Sequence, residues 1–549
     1  MANAAIRLAL EAYDGSRPRP MGRHAAGEGF LRGFLRYGDV DRFHLWNALD
    51  EDPAALEALV SRLGGVGRPV SWLGRGDRAA LGYTGGVHIP TPELRAEAWA
   101  RHAFGATAYS ITGVTHTIAS THILDEISAL LSAPLEPWDA LVCTSDSVRK
   151  ATENLLESSA AYLQERFGAS RLPAVQLATI PLGVHTDDFR QDPGSRNRWR
   201  ARLDIPADAP VVLYSGRLSI GTKMHPAPMA LALQAAAQTL GRPIYWLVYG
   251  SGLSSDDETA WREAAAAFGP ELLIREAPDS LVSTRNEILS AADVFLSLSD
   301  NVQETFGLTP VEAMAAGLPC IVSDWDGYRD TVRHGVDGYR IRTVAPRPGL
   351  GGDLIYAYDQ RLIGYGTYAA ATSLFTAVDI GDTAQALSRL LADPGLRTRM
   401  GEAGRERARG TFDWRVVIPQ YQALWAELAR RRQAVPAQTG QEHPHRPDPF
   451  RMFSAYPSAI LGPADIVALV EAPEAVAARL ANPSARVEAA RLPSPAEAMA
   501  LLETLRNGPR TVGELLATTP AERRPFAERG LAWLAKFGAV RLCDPTSRT

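Results

Sequence analysis

The sequence predicts an α/β protein with two doubly wound parallel-sheet domains and a small, mainly helical C-terminal domain. Two observations predict the sheets. Short apolar runs of strand length alternate with helix-length stretches from residue 5 to 185, and the alternation resumes after residue 210. A turn-rich segment, Pro181-Leu-Gly183-Val-His-Thr-Asp-Asp188-Phe189, separates the two blocks. A third observation sets the last domain apart: residues 433–449 are rich in Pro, Gln and His and read as a linker. At 549 residues the chain exceeds one hydrophobic core.

In the first block, residues 6–10 read as the first strand. Residues 22–35, rich in glycine, read as a turn running into a helix, with Gly27 and Gly29 in the turn. Residues 41–46 are the second strand. Residues 53–63 have helical spacing, with Asp52 as N-cap and Pro53 at the first helical position. Residues 108–112 and 140–144 are later strands, and Ser145 caps the next helix. In the second block, 211–215, 244–249, 294–298 and 320–322 read as strands, and 226–240 and 259–268 as helices. Residues 345–377, rich in tyrosine, read as an insertion that packs as helices or serves as an active-site or partner element. Residues 414–432 carry amphipathic helical spacing. Residues 511–542 suggest helix, turn, helix and short strand, an outline resembling a winged helix. The expected boundaries are 1–188, 189–410 with the insertion inside it, a crossing helix at 411–432, the linker 433–449, and the accessory domain 450–549.

Composition excludes several classes. Hydrophobic content of 46% with 22% charged residues is globular. A net charge of −5 gives no electrostatic footprint for nucleic acid, and the C-terminal unit has no dense basic recognition helix. The three cysteines, Cys143, Cys320 and Cys543, share no metal-ligand spacing. Cys143 and Cys320 sit in apolar runs and read as reduced core residues, which fits a cytoplasmic location. The N-terminal residues lack a charged segment followed by a long apolar core, and no run reaches the ~18 apolar residues of a membrane span. The basic cluster Arg430-Arg-Arg432 reads as a solvated helix end, with at most peripheral membrane contact. Ser-His-Asp, Cys-His and H-E-x-x-H arrangements are not evident.

The most informative stretch is Glu304-Thr-Phe-Gly-Leu-Thr-Pro-Val-Glu312-Ala-Met-Ala-Ala-Gly317-Leu-Pro319. The second carboxylate opens an Ala-rich run ending at a glycine, which reads as one short helix with its C-cap. The loop before it offers free N–H groups and a positive helix end to an anion, and the carboxylates accept from hydroxyls. A group that is anionic and rich in hydroxyls describes a sugar nucleotide. Upstream, Gly216-Arg217-Leu-Ser-Ile-Gly221-Thr-Lys223 follows a strand and places two cations where a diphosphate fits. His116 lies just past the strand at 108–112, with His122 as the alternative. Asp324-x-Asp326 has the form of a metal-binding D-x-D, but the segment reads as a turn rather than a metal site.

The full pattern Glu-x-Phe-Gly-Leu-x-x-x-Glu-Ala-Met-Ala-x-Gly-x-Pro between two apolar strands resembles the E-x7-E signature of retaining glycosyltransferases of the GT-B architecture, most closely family 4. Matching segments spread over residues 20–340. The resemblance implies two Rossmann-like domains facing a cleft, with the donor mainly on the second. It implies that Glu304 holds the donor sugar's hydroxyls and Glu312 the nucleotide ribose. Phe306, Gly307, Leu308 and Thr309 would face the sugar and phosphates. Gly216, Arg217 and Lys223 correspond to the family's Gly-Arg-Leu…Lys motif, in which the cations bind the diphosphate and stabilise it as leaving group. The Arg-to-Lys spacing here is one residue longer than the common one. His116 would contact the donor sugar, and the loop of Gly27 and Gly29 would approach the diphosphate and acceptor. The segment at 181–189 resembles the family's Pro-x-Gly-Val-Asp-x-x-x-Phe junction, with His185 in place of Asp. Residues 323–330 resemble a Gly-Gly-x-x-Glu turn, with Gly327 at the second glycine and Asp330 in place of Glu. The last helix would cross back to the first domain. GT-B enzymes generally need no catalytic metal, and no cofactor is expected. The donor substrate would be a UDP-sugar or GDP-sugar.

The expected activity is metal-independent retaining hexosyl transfer to an acceptor the sequence does not reveal. Two other readings share the fold: a sugar-nucleotide epimerase or phosphorylase, and a scaffold for the C-terminal unit. A protein or peptide is the further partner expected at 450–549.

Overall fold

The structure, a computed structural model, describes residues 3–16, 22–65, 67–277 and 286–543. The first two residues, on which the reading of the N-terminus partly rests, and residues 544–549 lie outside them. The chain divides into two compact units, 1–443 and 444–549.

The larger unit holds two all-parallel sheets. The first contains β1 (Ala5–Arg7), β2 (Phe43–Trp46), β3 (Val70–Leu73), β4 (Gly86–Ile89), β5 (Ser110–Val114), β6 (Ala140–Cys143) and β7 (Gln176–Thr179), in the order β3-β2-β1-β4-β5-β6-β7. The second contains β8 (Val211–Ser215), β9 (Tyr245–Tyr249), β10 (Leu273–Glu276), β11 (Val294–Ser297), β12 (Cys320–Ser323) and β13 (Gly338–Ile341), in the order β10-β9-β8-β11-β12-β13. Strands β5, β6, β8, β11 and β12 are buried at every position, because helices cover both faces of a parallel sheet.

Two expectations at the N-terminus are corrected. The first strand covers only Ala5–Arg7, and Leu10–Tyr13 turns into a short helix. Gly27 and Gly29 are not in a strand–helix turn, because the helix Gly22–Tyr37 already spans them. A Cβ on Gly27 would lie 2.0 Å from the Ala12 carbonyl oxygen, and one on Gly29 2.8 Å from Trp414 Nε1. Both glycines therefore permit helix packing. Their N–H groups lie in a helix interior, where the i→i−4 ladder takes them.

Trp414 opens the helix Trp414–Gln433, with Asp413 as N-cap accepting from Arg415 N. This helix packs on the first sheet: Trp425 Nε1 donates to Thr112 Oγ1 at 3.2 Å, and Gln422 exchanges hydrogen bonds with the Asp39 backbone. Its basic end is solvated at Arg430 and Arg431, whereas Arg432 is drawn onto the first sheet. Arg432 donates to the carbonyls of Gly85, Thr107 and Ala108, and Arg431 bonds Gln176 and Glu427. Arg430, paired with Glu427, and Arg431 remain exposed to solvent, while Arg432 is partly buried. The insertion folds as two helices, Gly352–Asp359 and Tyr365–Ser373, bracketed by β14 (Thr343–Val344) and β15 (Ala377–Val378).

In the smaller unit, β16 (Ile466–Leu469) lies between β17 (Arg510–Thr511) and β18 (Val540–Cys543) in an antiparallel sheet. Helices Pro473–Leu480, Pro495–Thr504, Val512–Ala517 and Arg524–Lys536 enclose a core that includes Val467, Leu502, Leu531 and Leu534. Ser494 with Glu497, and Thr511 with Glu514, form capping boxes that start two of these helices. The single short strand expected at the end is thus one edge of a three-stranded sheet. No helix among the described residues is long and apolar enough to cross a membrane.

Candidate active site

Each sheet reverses its winding once, between β1 and β4 in the first and between β8 and β11 in the second. In open α/β sheets, ligands bind beyond the C-terminal ends of the strands at such a reversal. The segment leaving β8 carries Gly216, Arg217 and Lys223, and the segment leaving β11 leads to Glu304. Lys223 Nζ pairs with Glu304 Oε2, joining residues 81 positions apart. Their side chains are only 13% and 14% exposed, so the pair is largely desolvated. The ammonium also lies 3.3 Å from the Tyr328 hydroxyl, which is 2.8 Å from Ser297 Oγ. Burial works against the Lys223 charge, but the Glu304 carboxylate, Tyr328 and Tyr214 outweigh it, and its pKa is held above the ordinary lysine value. Arg217 donates to Thr222 Oγ1 at 3.0 Å; burial lowers its pKa and Glu304 opposes the shift.

Glu304 leads through Phe306 into the helix Leu308–Ala316. Gly307 makes the entry with φ +88°, and its α-carbon lies so close to Tyr328 that a Cβ would sit 2.1 Å from Cε1. Gly317, at φ +83°, closes the helix. The helix starts four residues before Glu312, which is buried within it rather than at its first turn. Leu308 and Thr309 occupy the first turn, where backbone N–H groups have no intrahelical partner. Thr309 Oγ1 is buried there without a hydrogen-bond partner among the described residues. An orphan hydroxyl beside free N–H groups is a fit for a phosphate or sugar oxygen.

The first sheet contributes its own rim. His116 Nε2 donates to the Pro90 carbonyl at 3.1 Å, and burial is the chief reason its pKa falls to about 4. It is a neutral imidazole at pH 7 with Nδ1 left as an acceptor. Three contacts join the sheets' loops: Thr144 Oγ1 to the Thr305 carbonyl, Ser147 Oγ to the Asp326 carbonyl, and Asp146 N to Asp330 Oδ2 at 2.6 Å. His122 instead pairs with Glu93. Asp324 faces Arg329 and Arg340, whereas burial and Glu304 push the Asp326 carboxyl well above the usual range. The two members of the D-x-D pattern thus serve different surroundings.

Residues 195–346 match the family described as glycosyl transferases group 1. The group 1 segment contains Gly216, Arg217, Lys223, Glu304, Glu312 and the loop between the two glutamates, whereas His116, Gly27 and Gly29 precede it. A D-inositol 3-phosphate glycosyltransferase from Geodermatophilus obscurus is 32% identical over 177 residues, 30% of this chain and 37% of its own length. One from Streptomyces bingchenggensis is 27% identical over 327 residues, 56% of this chain and 61% of its own. The chain therefore spans less than two thirds of either relative. The solved structure of Anabaena HepE with UDP and glucose covers 77% of this chain and all of its own, with a TM-score of 0.50 at 16% identity. That likeness supports the GT-B arrangement of the two sheets.

Several neighbours of the group 1 motifs escaped the sequence reading. Tyr328 is the wall against which Gly307 closes, and it contacts Lys223. Its signal was its place in the turn beside Gly327. Thr222 and Gln303 carried no signal beyond adjacency to Lys223 and Glu304.

Proposed function

We propose that the protein transfers a sugar from a nucleoside-diphosphate sugar to an acceptor hydroxyl with retention at the anomeric carbon. The carrying observation is the meeting of Arg217, Lys223 and Glu304 at the winding reversal of the second sheet. In this reading Arg217 and Lys223 hold the donor diphosphate, Glu304 accepts from the sugar hydroxyls, and Glu312 accepts from the ribose. The bond from the anomeric carbon to the phosphate oxygen breaks, and the diphosphate leaves with the electron pair. The two cations stabilise the charge that grows there, which is the electrostatic part of catalysis. The acceptor oxygen attacks on the same face, and its proton passes to the departing phosphate oxygen. His116, neutral and on the opposite rim, contributes polar contact to the donor sugar rather than charge. The donor is a UDP- or GDP-sugar, and the enzyme works in the cytoplasm.

The test is incubation of the protein with a panel of UDP- and GDP-sugars and hydroxyl acceptors, reading free nucleoside diphosphate and the anomeric configuration of the product. Release with retention, reduced by orders of magnitude in Arg217→Ala, supports the reading. Interconversion of the sugar nucleotide without release points to an epimerase and rejects it.

A further inference from the structure

Tyr365 lies outside the group 1 segment, at the start of an insertion helix, Tyr365–Ser373. Its hydroxyl is 3.0 Å from Gln303 Oε1 and 3.1 Å from Thr117 Oγ1. A phenol has one proton to give and an amide oxygen has none. Tyr365 therefore donates to Gln303 and accepts from Thr117. Gln303 Nε2 in turn donates to the Thr222 carbonyl, and Thr222 Oγ1 accepts from Arg217. Gln303 immediately precedes Glu304, and Thr117 immediately follows His116. One hydroxyl thus ties together the loops after β8, β11 and β5.

The rest of the insertion is built to hold that hydroxyl still. Asn301 Nδ2 bonds both Ser373 Oγ and the Gly221 carbonyl, seating the helix on the donor-side loops. Tyr358 stacks on Tyr368 with centroids 4.8 Å apart, and its hydroxyl accepts from Thr121 N at 3.4 Å. Burial keeps the Tyr365 phenol above its ordinary pKa, so it stays a neutral donor at pH 7.

We propose that Tyr365 is a positioning residue of the donor site, holding the Gln303 amide, and through it the Arg217 loop, in register with the His116 loop. This rests on the transferase reading. A positioned rim also excludes water from the cleft, so loss of the hydroxyl favours hydrolysis over transfer.

Tyr365→Phe keeps the ring and deletes both hydrogen bonds. The expected result is a donor KM raised about tenfold and a higher ratio of hydrolysis to transfer, with the melting temperature within about 2 °C of wild type. Thr117→Val should reproduce part of the loss, and the double variant should be no worse than Tyr365→Phe alone. Tyr356→Phe, at an exposed tyrosine of the same insertion, should change nothing. Wild-type kinetics in Tyr365→Phe, or effects that add fully with Thr117→Val, overturn the proposal. Calorimetric binding of UDP and GDP separates this from failure of the transferase reading. If wild type binds either nucleotide but turns over no donor, the transferase reading has failed, and Tyr365→Phe should still weaken binding about tenfold. Unchanged binding then overturns the proposal, as does binding of neither nucleotide by wild type.

Discussion

Replacing Glu304 by Met leaves the Lys223 ammonium largely buried, with the Tyr328 hydroxyl 3.3 Å away and no adjacent carboxylate. Replacing Lys223 by Met strands the carboxylate in the same way. Removing one member of a buried pair costs roughly 3–5 kcal/mol, and the residual exposure here favours the lower end. At about 2–4 °C per kcal/mol for a domain of this size, each single variant should melt roughly 6–12 °C lower. The double variant, Lys223→Met with Glu304→Met, restores an uncharged contact and should lose less than either single one. The coupling between the two sites should reach about 2–3 kcal/mol. Because the folded pKa of Lys223 is raised, its contribution is fully present below the unfolded lysine value and is lost only as pH rises through the folded one. In the wild-type protein the Lys223 charge is therefore kept throughout pH 6 to 9. The assay is thermal melting of the four proteins, with and without UDP or GDP. A diphosphate offers Lys223 a new partner, so the nucleotide that binds should raise the melting temperature of Glu304→Met more than that of wild type. Additive losses in the double variant would refute the account, because they would mean the two charges do not interact in the folded state.

Three other outcomes follow from the same geometry. Gly307→Ala must hold φ near +88° and place a Cβ against the Tyr328 ring, so it should cost about 3 kcal/mol and weaken nucleotide binding, read by melting and calorimetry. Asp300 is buried, and desolvation lifts its pKa from 3.8 to about 7. A raised carboxyl means the folded state binds the proton more tightly, so stability falls as pH rises from about 4 to 7, by on the order of 4 kcal/mol, and levels off above. Asp300→Asn should shrink the drop in melting temperature between pH 5 and pH 8; Asp326, also raised, keeps it from vanishing. Removal of residues 444–549 should leave the nucleotide-dependent rise in melting temperature intact, since every proposed donor-site residue belongs to the larger unit.

What the sequence disclosed follows from how each feature is encoded. Strands β8, β11 and β12 are buried on both faces and stand out as continuous apolar runs. The Asp52 and Ser145 caps and the Gly317 stop are local signals, legible within four residues. Strands β3, β4, β7, β10 and β13 were missed: β3, β7 and β10 are edge strands with no fully buried position, β13 is an edge strand buried only at its ends, and Gly86-Val-His-Ile is fully buried yet includes a glycine and a histidine. The helix Gly22–Tyr37 was misplaced for a related reason. Its glycines look like turn residues in isolation, but Gly29 and Gly33 accommodate Trp414, some 380 positions away, and Gly27 accommodates the Ala12 carbonyl. Within the site, the four charged residues were readable as a family pattern. The pairing of Lys223 with Glu304, the Tyr328 wall and the Tyr365 bridge were not, since each depends on contacts between segments 31–248 residues apart.

The pairing of Lys223 with Glu304 also bears on how a donor of the proposed kind would be recognised. A nucleoside diphosphate that takes Lys223 as its partner leaves the Glu304 carboxylate buried beside Asp326, whose own carboxyl the same charge already disfavours. A buried charge without partners is costly, so the diphosphate alone realises only part of its interaction energy. Sugar hydroxyls alone do not displace the ammonium, because they bring no negative charge. The intact donor satisfies both groups at once: its phosphates replace Glu304 at Lys223, and its hydroxyls replace Lys223 at Glu304. Recognition of the sugar and of the diphosphate are then coupled through one exchange of partners. In the proposed reaction, once the sugar had moved to the acceptor, the remaining diphosphate would again leave Glu304 without hydroxyls. On that reading, the ion pair of Lys223 with Glu304 would also favour release of the product.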